Sequence, residues 1–220
     1  MNLDVTPRET LDPLPDRPTL FDFYRLRFAV RGALPFAPAP HMIQSATRAL
    51  RSGAPEETVL ACLLHDVGLA LMAPDHGWWG AQLLEPYVSE RVSWAIRHHQ
   101  ALRFYPDPEV GYEYPASYRT LFGPDYVPEP YLDEAYKAAR KHRWYMDARL
   151  ITLHDDYTQA TGDTMHPAGG DDVPVKAAVS LEPFAGIVGR HFRQPREGLG
   201  YDGSPVAHMW RTLQFPKRPL

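Results

Sequence analysis

From His41 to about Ala101, apolar residues return every three to four positions, the period of helices packed against a core. The spacing predicts helices over 41–52, 55–70, 76–87 and 88–101. Pro55 followed by Glu56 and Glu57 marks a helix start, with proline in the first turn and acids near the positive end of the dipole. Asp75 and Ser89 stand where caps belong. Upstream, LFDFYRLRFAVR (20–31) predicts a packed helix between a Pro-rich arm over 1–19 and GALPFAPAP (32–40), a strap whose prolines exclude a helix. Downstream, residues 105–128 are rich in Pro, Tyr and Gly, with one short helical stretch near Ser117 to Leu121. Helices return over 129–142, 143–160 and 180–193, with a loop over 161–176. Residues 194–220 read as irregular, with a turn or two of helix near Pro205 to Leu213. No segment alternates as a strand series does. The fold class is mainly α: a helical bundle over 41–160, an arm and helix over 1–40, and a C-terminal extension over 161–220 packing on the same domain.

Composition narrows the function classes. A chain of 220 residues buries a sizeable core. Lys+Arg 23 against Asp+Glu 27 gives a net charge of −4, without the basic footprint of a nucleic-acid binder. Cys62 is the one cysteine, which excludes an internal disulfide framework and a Cys-rich zinc module. No apolar run approaches the ~20 residues that span a bilayer. Met1 to Leu20 carries acids and prolines where a signal peptide carries a basic patch and an apolar run. The expectation is a cytoplasmic protein with no membrane partner. The outliers are 23 prolines and 10 histidines.

The histidines lead to chemistry. His65-Asp66 lies in VLACLLHDVGLAL, apolar on every side, which reads as a buried central helix. An ionised Asp there is costly without a partner. Either a metal ion offsets that cost, or the pair is a satisfied core histidine with a capping acid. His99 shares a stripe with Val92, Ala95 and Ile96. His76 shares a face with Gly80, Leu83, Leu84 and Tyr87, and His41 with Ser45, Ala49 and Ser52. Asp155 aligns with Trp144, Ala148 and Ile151, whereas Asp156 aligns with Tyr145, Arg149 and Thr152, so Asp155 is the acid expected to point inward. Six groups thus converge: His41, His65, Asp66, His76, His99 and Asp155. Four inward histidines and two carboxylates exceed what a core normally holds. Imidazole and carboxylate without thiolate suit Fe, Mn or Zn. Six protein ligands are too many for one catalytic ion that needs open positions, so the number points to two metals with Asp66 between them.

The stretches HMIQSATRAL, LLHDVG, HGWWGAQLL, SERVSWAIRHHQALRFY and ARLITLHDDY resemble the HD-domain superfamily of metal-dependent enzymes. Within it they are most similar to the mixed-valent di-iron oxygenases, namely myo-inositol oxygenase and the phosphonate-cleaving HD oxygenases. The resemblance covers about residues 41–160. It implies that His41, His65, Asp66 and Asp155 hold one iron, that Asp66 bridges, and that His76 and His99 hold the second. It also implies a role for Arg103, which follows His99 by four residues, where these oxygenases carry a substrate-binding Lys. There Arg103 would clamp a carboxylate, phosphonate or phosphate; read from the residue alone, it is a solvated charge at a helix C-terminus. Tyr105 is a second candidate for substrate contact. Leu69 stands where phosphonate-cleaving relatives often carry a His.

The implied activity is oxidation and cleavage, by O2, of a C–C, C–P or similar bond in a small hydroxylated or aminated anion, with Fe(II)/Fe(III) as cofactor and Mn or Zn as substitutes. A metal-dependent HD phosphohydrolase acting on a nucleotide or small phosphate ester is the alternative, since the same ligands activate a bridging water. A non-catalytic metal-binding scaffold is the third reading. Arg190, His191, Arg193, Arg196, Asp202, His208, Trp210 and Arg211 read as a surface arm or homodimer contact, or as a cover over the site.

Overall fold

A computed structural model describes residues 19–23, 38–115, 118–119, 122–123, 125–155, 180–193 and 195. The protein is mostly helical, and among the described residues no strand forms beyond one isolated bridge, Asp107 with Tyr112. The α-helices are α1 (Leu20–Phe23), α2 (Pro38–Arg51), α3 (Glu56–Leu64), α4 (His76–Leu84), α5 (Glu90–Leu102), α6 (Pro130–Arg140), α7 (Tyr145–His154) and α8 (Ala185–His191). Short 3-10 turns join them, including Val67–Ala70 between α3 and α4.

Burial follows the sequence pattern closely at the centre. Every residue of α3 from Thr58 to Leu64 is buried, so this helix runs through the core. Helix α2 lays Met42, Ile43, Ala46 and Ala49 on it, and α5 adds Val92, Ala95 and Ile96. The most extensive helix pairing is α5 with α7, which contributes Ala148 and Ile151. Helix α8 covers α3 with Ile187. No described helix is long and apolar enough to cross a membrane.

The structure moves several expected boundaries. Pro38 to Pro40, expected in a non-helical strap, form the first turn of α2. Proline is tolerated there because first-turn N–H groups have no partner within the helix. The helix expected over 55–70 stops at Leu64; His65 and Asp66 form a turn before the 3-10 segment. Helix α4 ends at Leu84 and α7 at His154, so Asp155 follows α7 as its C-cap instead of lying within a helix. Leu83 is exposed, off the face predicted for His76. Ser89 caps α5 as expected, its Oγ accepting from the Val92 N–H at 3.3 Å. Asp75 does not cap α4. The Gln100 side chain reaches over from α5 instead, its Oε1 accepting from the Gly77 N–H at 2.7 Å. The arm over 1–18, most of the 20–31 helix, Asp156 and residues 196–220 lie outside the described residues, as does most of the stretch near Ser117 to Leu121.

Candidate metal centre

Five elements deliver the six predicted groups to one place. His41 comes from α2, His65 and Asp66 from the turn after α3, His76 from the first position of α4, His99 from the last turn of α5, and Asp155 from the end of α7. All six are buried; His65, Asp66 and His99 have no exposed surface. The interruption of the apolar helix after Leu64 is what turns Asp66 inward, with φ −102° and ψ 12°, the bridge region that functional residues often occupy.

Asp66 lies at the middle. Its Oδ1 is 3.0 Å from His76 Nε2, 3.5 Å from His65 Nε2 and 3.9 Å from His99 Nε2, while its Oδ2 is 3.5 Å from His41 Nε2. Asp155 Oδ1 is 2.9 Å from His41 Nε2 and 3.6 Å from His65 Nε2. Three sets of ligand atoms each lie within 4.8 Å of one another: His41, His65 and Asp66; His65, His99 and Asp155; and Asp66, His76 and His99.

The imidazole tautomers follow from the backbone. His65 Nδ1 meets the Cys62 carbonyl at 2.8 Å, His76 Nδ1 the Ala73 carbonyl at 2.9 Å, and His99 Nδ1 the Ile96 carbonyl at 2.6 Å. A carbonyl only accepts, so each Nδ1 carries the proton and each Nε2 of a neutral ring keeps a lone pair. Those lone pairs point at each other and at carboxylates: His76 Nε2 and His99 Nε2 are 3.3 Å apart, and buried His65 Nε2 has no hydrogen-bond partner. Protonation does not supply the missing positive charge. Burial pushes His41 down to about 3 and holds His65 and His99 below the usual histidine range. For Asp66, burial opposes ionisation, but the surrounding His65, His76 and His41 side chains favour it and hold the carboxyl well below its ordinary value. Neutral imidazole lone pairs around ionised carboxylates are a donor set for a hard or borderline cation. Tying Nδ1–H to a backbone carbonyl is how metal-bound histidines are oriented.

Two close backbone approaches hold His76 in place. A Cβ on Gly68 would lie 2.1 Å from the His76 carbonyl oxygen and 2.7 Å from the Gly80 nitrogen, so only glycine lets the turn after Asp66 rest on α4. A Cβ on Gly77 would lie 2.9 Å from Gln100 Oε1, beside the bond that fixes the start of α4.

Arg103 is buried and ion-paired, which sets aside its reading as a solvated charge. Its Nη1 donates to the Asp155 carboxylate through Oδ2 and to the Asp155 carbonyl at 3.0 Å, and its Nε donates to the Tyr118 hydroxyl at 2.9 Å. Tyr105 stacks on Tyr136 of α6, with ring centroids 4.0 Å apart, and none of the groups that raise its phenol belongs to the cluster. Arg190 and His191 both bind Glu56 at the start of α3, at 2.6 and 2.8 Å.

Sequence reasoning missed a second buried polar group beside the first. Asp107 accepts from the Tyr145 hydroxyl at 2.5 Å and from Arg140 at 3.2 Å, and lies 3.5 Å from Arg149, which has no exposed surface. Arg149 aligns with Tyr145 and Thr152 and not with Asp155, yet Arg149, Tyr145 and Thr152 are all buried as well.

Together these features define a helical protein with a buried His/Asp cluster able to hold metal. No family model matches the chain. Among known proteins it is similar to the [1-hydroxy-2-(trimethylamino)ethyl]phosphonate dioxygenase (glycine-betaine-forming) of Leisingera caerulea, with 33% identity over 82 residues covering 32% of this chain. The matched region spans 42% of that relative's length.

Proposed function

We propose that this chain is an HD-type oxygenase with a dinuclear iron centre, acting on a small phosphonate or a related hydroxylated or aminated anion. The observation that carries this reading is the convergence of three tautomer-fixed Nε2 lone pairs, with His41, on Asp66 and Asp155. In this reading Asp66 bridges, its Oδ2 facing His41 and its Oδ1 facing His76; His41 and His65, with Asp155, would belong to one ion, and His76 and His99 to the other, the partition that the family resemblance implies. The similarity to a phosphonate dioxygenase favours O2 chemistry over hydrolysis. Residues 41–160 form the metal-binding domain in this reading, with 1–40 and 161–220 as its arm and extension.

Bound iron would supply the redox reaction with O2 that no side chain provides. The chain supplies the rest. The imidazoles would orient the ions, the buried α3 and α5 residues around them would exclude water, and Arg103, buried and paired with Asp155, would add positive charge beside the cluster for an anionic substrate head. Iron-loaded protein offered hydroxylated and aminated phosphonates and carboxylates should consume O2 in a substrate-dependent way, and with a phosphonate should release phosphate. Turnover of nucleotides or phosphate esters without O2 uptake would replace this reading with the HD phosphohydrolase.

A further inference from the structure

We propose that Arg149, Tyr112 and Asp107 form a positioning unit that holds Arg103 against Asp155, and so fixes which carboxylate oxygen Asp155 turns toward the metal. The inference rests on the dinuclear reading above.

Arg103 and Asp155 are the C-cap residues of α5 and α7, the two most closely paired helices. A carboxylate at a helix C-terminus faces the negative end of the dipole and needs a cation. The Arg103 guanidinium meets that need, binding the Asp155 carbonyl and Oδ2 through the same nitrogen. Asp155 is left with Oδ1 toward His41 and His65. An arginine in this place therefore selects a single-oxygen presentation of Asp155.

Arg103 in turn is held from behind. The Tyr112 hydroxyl donates to the Arg103 carbonyl at 2.8 Å. Arg149 Nη1 donates to the adjacent Leu102 carbonyl at 3.0 Å, so a residue of α7 clamps the end of α5. The Arg149 charge lies 4.7 Å above the Tyr112 ring centroid, and its Nε donates to the Tyr145 hydroxyl at 3.1 Å. Asp107 closes the unit: its backbone pairs with that of Tyr112 at 2.8 and 3.0 Å across a turn that needs Gly111 at φ +72°. Burying a whole arginine is costly. Here it ties together the two helix ends that carry Arg103 and Asp155.

The test is a Co(II) titration of the full-length metal-free chain, followed by the visible spectrum of bound Co(II) and by thermal unfolding. Tyr112→Phe keeps the ring beneath Arg149 and removes only the bond to the Arg103 carbonyl. It should weaken one of the two ions by about 10–100-fold and change that ion's spectrum, leaving the other ion as in wild type. Arg149→Lys should act on the same ion. Arg140→Gln, at the exposed edge of the network, should bind both ions as wild type does. Unchanged binding in both Tyr112→Phe and Arg149→Lys overturns the proposal. Equal weakening of both ions together with a lowered Tm also overturns it, leaving a purely structural role. A wild-type chain that takes up one ion or none overturns the dinuclear reading itself.

Discussion

Gly68→Ala tests how the chain places His76. The added Cβ would lie 2.1 Å from the His76 carbonyl oxygen, against about 3.0 Å as the closest approach real Cβ atoms make. His76 must therefore retreat by about 1 Å, several times the ~0.2 Å tolerance of a metal–ligand bond. Both near atoms, the His76 carbonyl and the Gly80 nitrogen, are backbone, so no side-chain rotation relieves the clash. Overpacking of this kind costs about 1–3 kcal/mol, which for a chain of this size lowers Tm by roughly 2–12 °C. Gly80→Ala is the control on the other side of the same contact. Its Cβ would meet nothing closer than 3.4 Å, and alanine is worth ~1 kcal/mol over glycine within a helix. Metal analysis and thermal unfolding of both variants should show Gly68→Ala losing the ion that His76 would hold and losing stability, with Gly80→Ala keeping both ions at equal or higher Tm. A Gly68→Ala protein with full metal content and an unchanged Tm would refute the reasoning.

Asp66→Ala should lose both ions, because its two oxygens face histidines of both sets; metal content per chain by mass spectrometry checks this. Asp107→Asn strips the carboxylate from beneath Arg149 and should cost about 3 kcal/mol in urea unfolding, the scale of breaking a buried ion pair. The metal-free protein should lose stability as pH falls. Burial lowers His41 from 6.5 to about 3 and His98 and His154 to about 4, so below about 6.5 the unfolded chain takes up protons that the folded chain refuses. Their contribution is complete above that value and declines as pH drops toward 3–4; urea midpoints at pH 7 and pH 5 should differ in that direction.

What the sequence made legible follows helical period and residue chemistry. His41, His65, His76 and His99 sit on or beside apolar stripes, and a residue on such a stripe points inward wherever the partner helix lies. Their meeting point could therefore be anticipated without knowing the packing angles. The break after Leu64 was not legible, because VLACLLHDVGLAL is apolar throughout and its interruption is set by how closely Gly68 approaches α4. Asp107 was not legible either. It lies in a Pro- and Tyr-rich stretch with no period, and its burial comes from pairing with Tyr112 and from Tyr145, Arg140 and Arg149, up to 42 positions away in sequence. Arg103 was placed near the site by resemblance. Its pairing with Asp155, which comes from the relation between two helix ends, has no signature along the chain.

The central claim is that one buried cluster holds two irons sharing Asp66. The most direct measurement is the EPR spectrum of anaerobically purified, partly reduced protein, with metal content determined on the same sample. The account predicts an antiferromagnetically coupled Fe(II)/Fe(III) signal at about two irons per chain. An EPR-silent protein carrying zinc, or the signal of a single isolated ion, would contradict it.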